Sequence, residues 1–335
     1  MRYTATIKDV AKLAGVSVAT VSRVINGEEN VSSQTKSRVK DAIQKLSYSP
    51  NLLGRNLRRG ATKSILVLLN TISNPFYSRV VKGIEERAAQ DGYSVMLYMT
   101  HGDMELERRA VTLLQTKLID GAIFLSTEQP GEKLTELCRG IPVVQACEPQ
   151  SSFLAASVSI DNQKAAFDAI SYLIARGHRS IAFFGAGGSL SSALCRKEGY
   201  YEALRYAGIP IDKRYVIEEG FSVHAGMRAA KRLLQQENTL PDAVFCISDS
   251  VAIGAVRAFS EAGICVPDDI SVMGFDNAFL SEAYLPSITT VKQPRYEIGY
   301  KAASFLLAAI CGEDNRAQKI VLEHELIERD SVISR

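Results

Sequence analysis

Polar and aromatic residues stand at the carboxyl ends of several predicted strands, where folding alone does not require them. Phe76-Tyr77 follows the first strand, Asp161 follows a short crossover strand, Ser248-Asp249 and Asp276 follow two later strands, and Arg196 lies near a helix start. Carboxylates and an arginine form directional, bidentate hydrogen bonds, and aromatic faces stack on flat rings. The set therefore favours a site for a small polyhydroxylated or heterocyclic ligand.

The same positions have a second interpretation, in which they cap helices. Asp161 and Asp249 each precede a helical pattern, and aspartate is a preferred N-cap residue. The sequence leaves both interpretations open for these two residues.

Catalytic patterns are weak along the whole chain. The loop Gly185–Leu190 carries leucine where a dinucleotide-binding GxGxxG loop needs its third glycine. The four histidines show no metal-ligand spacing, and none adjoins a candidate nucleophile. We therefore expect no catalytic residue, no metal site and no cofactor. An α/β enzyme remains an alternative for which no catalytic set is found.

An alternation of strands and helices positions the candidate ligand residues. Apolar strands such as Ser64–Asn70 and Gly121–Ser126 alternate with helical patterns as far as Phe275. This predicts an α/β fold with two lobes, each a doubly wound parallel sheet covered by helices on both faces. A last helix over Ile298–Cys311 and a strand near Ile320–Ile327 are shared between the lobes. Ligands bind beyond the strand C-termini in such sheets, so we expect a cleft between the lobes.

The first residues predict a different kind of domain. Apolar side chains over Ile7–Ala14 recur with the spacing of one helix face, Gly15 ends that helix, and Ser17 is a suitable N-cap for a second. Two short helices joined by a tight turn form a helix-turn-helix, whose second helix enters a DNA major groove. The second helix turns several residues outward: Val18, Ala19, Ser22, Arg23 and Asn26.

A third helix and a linker follow this pair. The third helix runs from Ser32 or Ser33 to about Leu46. In the linker, Asn51 to Leu57 has the length of two helical turns, which are unstable alone because helix nucleation is costly. Gly54 weakens that segment by about 1 kcal/mol relative to alanine. We expect a conditional helix here, formed only when something holds it.

Charge is divided unevenly along the chain. Residues 1–60 hold 11 Lys and Arg against 4 Asp and Glu, a net of +7, whereas the remainder holds 28 against 33, a net of −5. A basic head on a mildly acidic body indicates that the head alone meets a polyanion.

Composition places the 335-residue chain among soluble globular proteins. It is 46% hydrophobic and 23% charged, and no run approaches the roughly 20 apolar residues that a membrane span needs. The N-terminus has no secretory pattern, and six scattered cysteines form no CxxC pair. We expect buried free thiols, a reduced cytoplasmic compartment and no membrane partner.

Several short motifs occur in order along the chain: Ile7–Ala11, Ala19–Val24, Val31-Ser32, Tyr48–Asn51, Arg196–Tyr200, Gly274–Asn277 and Thr289–Pro294. In these motifs the chain resembles the lactose-repressor (LacI/GalR) family of bacterial transcription factors over nearly its full length, and it looks somewhat closer to the cytidine- and purine-repressor-like members of that family.

The resemblance implies a homodimer on double-stranded operator DNA, with paired hinge helices and Leu57 as a wedge between base pairs. The implied DNA-binding residues are Thr6, Ser17, Val18, Ala19, Thr20, Ser22, Arg23, Asn26, Asn51, Arg55, Leu57 and Arg58. The implied effector-binding residues are Phe76, Tyr77, Asp161, Arg196, Phe221, Ser248 and Asp276. Gly54 departs from the usual hinge alanine, and no leucine-heptad tail supports a tetramer.

The expected organisation has a helix-turn-helix head at 1–48 and a hinge helix at 49–62. Lobe 1 of a periplasmic-binding-protein-like (type I) body spans 63–161 and 293–318 and forms the dimer, and lobe 2 spans 162–292 and 319–335. The expected function is repression of a metabolic operon, switched by a sugar or sugar derivative in the cleft. A nucleoside or purine effector stays open, as does, in another class, a solute-binding protein without a role on DNA.

Overall fold

The computed structural model describes residues 5–25, 30–48, 61–188, 190–236 and 240–335. The chain divides into two compact units, Met1–Thr62 (the head) and Lys63–Arg335 (the body). Each unit has a hydrophobic core of its own.

The described head consists of three helices, α1 (Ile7–Ala14), α2 (Val18–Ile25) and α3 (Ser33–Lys45). The Thr6 hydroxyl accepts a hydrogen bond from the Asp9 N–H, and the Asp9 carboxylate accepts one from the Thr6 N–H at 2.8 Å, which forms a capping box. Gly15 ends α1 with a left-handed φ of 61°, and the Ser17 hydroxyl accepts from the Thr20 N–H at 3.1 Å. The predicted helix-turn-helix, including its glycine and its Ser17 cap, is confirmed.

Arg38 ties α3 to the turn after α1. Its guanidinium donates to the Ala14 carbonyl and, at 3.1 Å, to the Gly15 carbonyl. These carbonyls lie at the C-terminal end of α1, where helix carbonyls lack partners within the helix. Arg38 therefore fixes the turn that precedes α2.

The body alternates strands and helices as predicted. Its strands are β1 (Ser64–Leu69), β2 (Ser94–Met99), β3 (Gly121–Phe124), β4 (Val143–Ala146), β5 (Ala156–Ile160), β6 (Ile181–Gly185), β7 (Val216–Glu218), β8 (Ala243–Cys246), β9 (Ser271–Asp276), β10 (Thr289–Lys292), β11 (Lys319–Leu322) and β12 (Glu325–Ile327). Its helices are α4 (Pro75–Gln90), α5 (Met104–Gln115), α6 (Gly131–Leu137), α7 (Asn162–Ala175), α8 (Ser191–Tyr206), α9 (Val223–Leu234), α10 (Asp249–Glu261), α11 (Phe279–Ala283) and α12 (Arg295–Ile310).

Two six-stranded sheets form the two lobes. Lobe 1 has the order β11-β5-β4-β3-β1-β2, with every pair parallel. Lobe 2 has the order β12-β10-β9-β8-β6-β7, and only the edge strand β12 is antiparallel. The central strands of both sheets are fully buried, as expected for parallel strands covered by helices on both faces.

The predicted end of lobe 1 at residue 318 is wrong. The expected single strand near Ile320–Ile327 is two strands: β11 pairs with β5 in lobe 1, and β12 pairs with β10 in lobe 2. The chain therefore crosses to lobe 2 after Leu322, and lobe 1 includes β11. The short strand β10 and the five-residue helix α11 were not predicted from the sequence.

Close helix packing in lobe 1 depends on two glycines. A Cβ atom at Gly83 would lie 2.2 Å from the Tyr296 carbonyl oxygen, and one at Gly299 would lie 2.0 Å from the Val80 carbonyl oxygen. Helices α4 and α12 therefore cross with their backbones in contact, which a larger side chain at either position prevents. This crossing holds the last long helix on lobe 1.

All six cysteines are unpaired. We expected buried thiols, but two of the six are exposed. Cys138, Cys147 and Cys246 are buried and Cys195 is half-buried, whereas Cys265 and Cys311 are exposed. Within the described ranges, no helix is both long and apolar enough to cross a membrane.

Candidate functional site

The outward face of α2 carries the described part of the predicted DNA surface. Val18, Ala19 and Arg23 are exposed, and Thr20 and Ser22 are half-buried. Two predicted contact residues also have structural roles: Thr6 caps α1, and Ser17 caps α2 while hydrogen-bonding the Thr20 hydroxyl at 2.9 Å. The other predicted contact residues lie outside the described residues: Asn26, Asn51, Arg55, Leu57 and Arg58. Residues 49–60 of the predicted hinge helix at 49–62 also lie outside them.

A cavity of about 560 Å³ lies between the two lobes of the body. Its wall is formed by segments that follow strands of both sheets, as expected for ligand sites in open α/β folds. Five of the seven predicted effector residues line it: Phe76, Tyr77, Arg196, Phe221 and Asp276.

Arg196 and Asp276 both line the cavity and form a buried ion pair, with Nη1 of the arginine 3.5 Å from Oδ1 of the aspartate. Arg196 also donates from Nη1 to the Ile247 carbonyl at 2.7 Å and from Nε to Asn162 Oδ1 at 2.9 Å. Its guanidinium lies 3.7 Å from the centroid of the Phe275 ring. These contacts hold the arginine in one orientation before any ligand arrives.

Asp276 is held by a third segment of the chain. The Gln293 side chain donates from Nε2 to Asp276 Oδ1 at 2.7 Å. Burial raises the pKa of Asp276 to about 6, against the opposing effects of Arg196 and of the Gln293 hydrogen bond. The Asp276 carboxyl group therefore takes up a proton at a higher pH than an exposed aspartate does.

The aromatic wall begins at the N-terminus of α4. The Asn74 side chain accepts from the Phe76 N–H at 3.0 Å and Pro75 occupies the first helical turn, so the helix starts at the cavity. The Phe76 and Tyr77 rings pack edge to face with centroids 5.3 Å apart. Burial raises the pKa of Tyr77, which keeps its phenol neutral.

Asp161 and Ser248 do not line the cavity, contrary to the sequence-based expectation. The Asp161 carboxylate caps α7 by accepting from the Lys164 N–H at 2.9 Å. The Ser248 hydroxyl caps α10 and donates to the Phe221 carbonyl at 3.3 Å, so it supports a wall residue from behind. Both side chains cap helices by accepting hydrogen bonds from backbone N–H groups. For Asp161, this is the capping interpretation that the sequence left open.

Asp249 is not the cap of α10 that its position suggested. Its buried carboxylate accepts from the Thr290 hydroxyl at 2.6 Å and from the Ala278 N–H at 2.5 Å. Burial, with the nearby charge of Asp276, raises the pKa of Asp249 to about 7. Asp249 therefore ties α10 to β10 and to the segment after β9.

Several residues of the wall were not predicted from the sequence, among them Glu148, His224 and Gln293. Glu148 follows strand β4, so the strand-end criterion that selected Asp276 applied to it as well. Its carboxylate accepts from the Ser191 hydroxyl at 3.0 Å and from the Ser192 N–H at 2.8 Å. Among the described residues, no His, Cys, Asp and Glu side chains cluster as ligands for a metal ion.

Comparisons with known proteins agree with both halves of this architecture. Residues 6–51 match the family model of bacterial regulatory proteins of the lacI family, and residues 170–332 match a periplasmic binding protein-like domain. The chain is 38% identical to the HTH-type transcriptional repressor CytR of Escherichia coli, over 98% of this chain and 96% of that protein. It is 37% identical to the repressor PurR of Vibrio atlanticus, over 98% of each chain.

Solved structures show the same fold. A lac repressor dimer bound to operator and an anti-inducer has a TM-score of 0.88 and 28% identity, covering 99% of this chain and all of that one. A complex of the transcriptional regulator CelR with cellobiose has a TM-score of 0.75 and 31% identity, covering 98% of this chain and 99% of that one. This chain therefore belongs to the lacI family of bacterial regulatory proteins, which are DNA-binding transcriptional regulators and not enzymes.

Proposed function

We propose that this chain represses a metabolic operon as a homodimer on a palindromic operator and is switched by a small molecule in the interlobe cavity. The observation that carries the proposal is one chain that holds both an exposed α2 face and a cavity built around the buried Arg196–Asp276 pair. The relatives named above support it, since they include repressors, an operator complex and a sugar complex. Its proposed location is the cytoplasm, where operator DNA is accessible.

The head reads DNA through α2. Val18 and Ala19 offer apolar contacts to base edges such as thymine methyl groups, and Arg23 offers the cationic contact. Such a small surface distinguishes few base pairs. A second head across a dimer axis contacts a second half-site and doubles the number of base pairs contacted. The hinge at 49–62, with Leu57 as wedge, is proposed to supply the rest in the minor groove.

The dimer forms through lobe 1. The outer strand β2 ends that sheet, and three of its apolar side chains are exposed: Met96 at 48%, Leu97 at 38% and Met99 at 41%. An exposed, apolar edge strand is a liability for a monomer, and a second copy of the chain covers it.

The effector is a sugar or sugar derivative, or in the second version of the proposal a nucleoside or purine. Arg196 and Asp276 present charged hydrogen-bonding groups suited to hydroxyls or ring nitrogens. Phe76, Tyr77 and Phe221 present aromatic faces that stack on a sugar ring or a base. Residue types at the wall favour both classes, so the effector class is decided by experiment.

The switch works by linkage between the cavity and the head. An effector that binds one arrangement of the lobes more tightly shifts the population toward it and changes the geometry of the two lobe 1 surfaces in the dimer. The expected coupling free energy is about 1–3 kcal/mol, which is a 5- to 150-fold change in operator affinity. The sign of that change decides whether the effector is an inducer or a corepressor.

A gel-shift experiment tests this function. The full chain is titrated onto DNA that flanks its own coding region, alone and with candidate sugars, nucleosides and purines. Specific binding that one class of compound alters supports the proposal and identifies the class. Absence of any preference for this DNA over unrelated DNA, at each salt concentration, contradicts the proposed regulator.

A further inference from the structure

Glu148 makes a contact across the cavity from one lobe to the other. It follows β4 in lobe 1, and its carboxylate accepts hydrogen bonds from the first turn of α8 in lobe 2. The donors are the Ser191 hydroxyl at 3.0 Å, the Ser192 N–H at 2.8 Å and the Ser192 hydroxyl. Glu148 and Ser192 both line the cavity.

The contact completes a helix end that has no cap of its own. Leu190 stands at the N-cap position of α8 and makes no side-chain capping hydrogen bond. The first N–H groups of a helix lack partners within the helix and carry a partial positive charge, which together attract anions. The carboxylate of Glu148 already occupies this place, so an incoming anion finds these donors engaged.

The charges on the wall act in the same direction. Among the described residues that line the cavity, the charged side chains are Glu148, Arg196 and Asp276, with His224 as the single imidazole. Arg196 and Asp276 are paired with each other at 3.5 Å. Glu148 therefore leaves the cavity with a negative charge that repels a second anion.

We propose that Glu148 is a specificity-determining residue that excludes anionic ligands such as phosphate esters from the cavity. The inference rests on the proposed function, because it concerns the effector of the same cavity. It selects free sugars and nucleosides over sugar phosphates and nucleotides. Specificity here arises from an unfavourable interaction with the excluded class.

Inorganic phosphate is a probe that tests this without knowledge of the effector. Thermal unfolding of the full chain is followed against phosphate concentration, with ionic strength held constant by chloride. Glu148→Ala frees the α8 donors and removes the charge, so we expect half-maximal stabilisation at a phosphate concentration at least tenfold lower than in the wild type. Glu132→Ala, at an exposed position in the first turn of α6, is the matched control and behaves as the wild type.

Glu148→Gln separates charge from capping. The glutamine carbonyl still accepts from the Ser192 N–H while the charge is lost, so phosphate sensitivity falls between those of the wild type and Glu148→Ala. This variant also tests the inference should Glu148→Ala fail to fold. Phosphate binding by the basic head is common to all variants, so the difference between them reports on the cavity.

Equal phosphate responses in the wild type, Glu148→Gln and Glu148→Ala overturn the inference. That outcome is distinct from failure of the proposed function, because operator binding by the same wild-type preparation is measured by gel shift. If the wild type binds its operator but shows the same phosphate response as the variants, the proposed regulatory function stands and the proposed role of Glu148 is wrong.

Discussion

Nη1 of Arg196 lies 3.5 Å from Oδ1 of Asp276, and both side chains are only 6% exposed. The arginine comes from α8, the aspartate from the end of β9, and Gln293, which binds the same aspartate oxygen, from the segment that leads back to lobe 1. A ligand that engages this pair therefore acts on residues next to the crossing between the lobes. We regard this pair as the point where effector binding is coupled to lobe movement.

Asp276→Asn is expected to raise the effector concentration needed for a half-maximal response at least 100-fold. Operator affinity without effector is expected to change less than threefold. The amide keeps the size of the side chain and loses the charge that bonds ligand hydroxyls and balances Arg196. Operator titrations over a range of effector concentrations measure both quantities. The control is Asp268→Asn, at an exposed position outside the cavity. An unchanged response in Asp276→Asn removes this residue from the site.

The stability of the body is expected to depend on pH through Asp249. Its pKa rises on folding from 3.8 to about 7 because the carboxyl group is buried, so the folded state holds a proton that the unfolded state releases. Stability contributed by this group is present at low pH and is lost as pH rises through about 7. Asp276, with a pKa raised to about 6, contributes a slope of the same sign.

Asp249→Asn therefore flattens the fall in melting temperature between pH 5 and pH 8 but does not abolish it. The amide oxygen still accepts from the Ala278 N–H, and the amide nitrogen donates to the Thr290 hydroxyl, so both contacts survive. Thermal unfolding of both proteins across this pH range is the measurement. A variant with the same slope as the wild type shows that Asp249 is not the titrating group.

A charge on the outer strand of lobe 1 is expected to break the proposed dimer. Met96→Asp places a carboxylate on the exposed apolar edge of β2, where burial against a second copy requires its desolvation. Sedimentation velocity then reports a monomer, and operator affinity falls with it. Leu154→Asp, at a side chain 67% exposed elsewhere on lobe 1, is the matched control and stays dimeric. A dimeric Met96→Asp protein excludes this strand from the interface.

Arg38→Met is expected to loosen the head by about 1.5 kcal/mol, because the Ala14 and Gly15 carbonyls lose a charged donor. Hydrogen exchange of the α1 and α2 amides in the full chain then accelerates, and operator affinity weakens because α2 is less firmly oriented. Lys40→Met, at an exposed position of the same helix, leaves exchange unchanged. Unaltered exchange in Arg38→Met would show that the turn holds without the arginine.

Local patterns predicted the elements of this protein well. The capping residues and the apolar face of α1 act within a few residues, so the helix-turn-helix could be placed from its own sequence. The buried strands of the body are short apolar runs bounded by polar residues, so their order along the chain could also be predicted. The assignment of β11 was missed because pairing with β5 is a contact between residues about 160 positions apart.

The site was predicted less completely because a strand-end polar residue serves either a cavity or a helix cap. Asp161 and Asp276 look alike in sequence, yet one caps α7 and the other pairs with Arg196. Glu148 also follows the end of a strand, but its contacts with Ser191 and Ser192 of the other lobe could not be predicted from the local sequence. Whether such a residue lines the cavity or caps a helix depends on the arrangement of the two lobes. No local sequence pattern encodes that arrangement.

Operator affinity measured with and without a compound that binds the cavity is the most direct test of the proposed coupling between the cavity and the DNA-binding head. Binding of the compound is established first by calorimetry, with Asp276→Asn as the non-binding control. Fluorescence anisotropy of labelled operator DNA then gives the affinity of the full chain at fixed salt. We expect a 5- to 150-fold change in operator affinity for the wild type and none for the variant. Equal operator affinity in the presence and absence of a cavity-bound compound would show that the cavity and the DNA-binding head are not coupled.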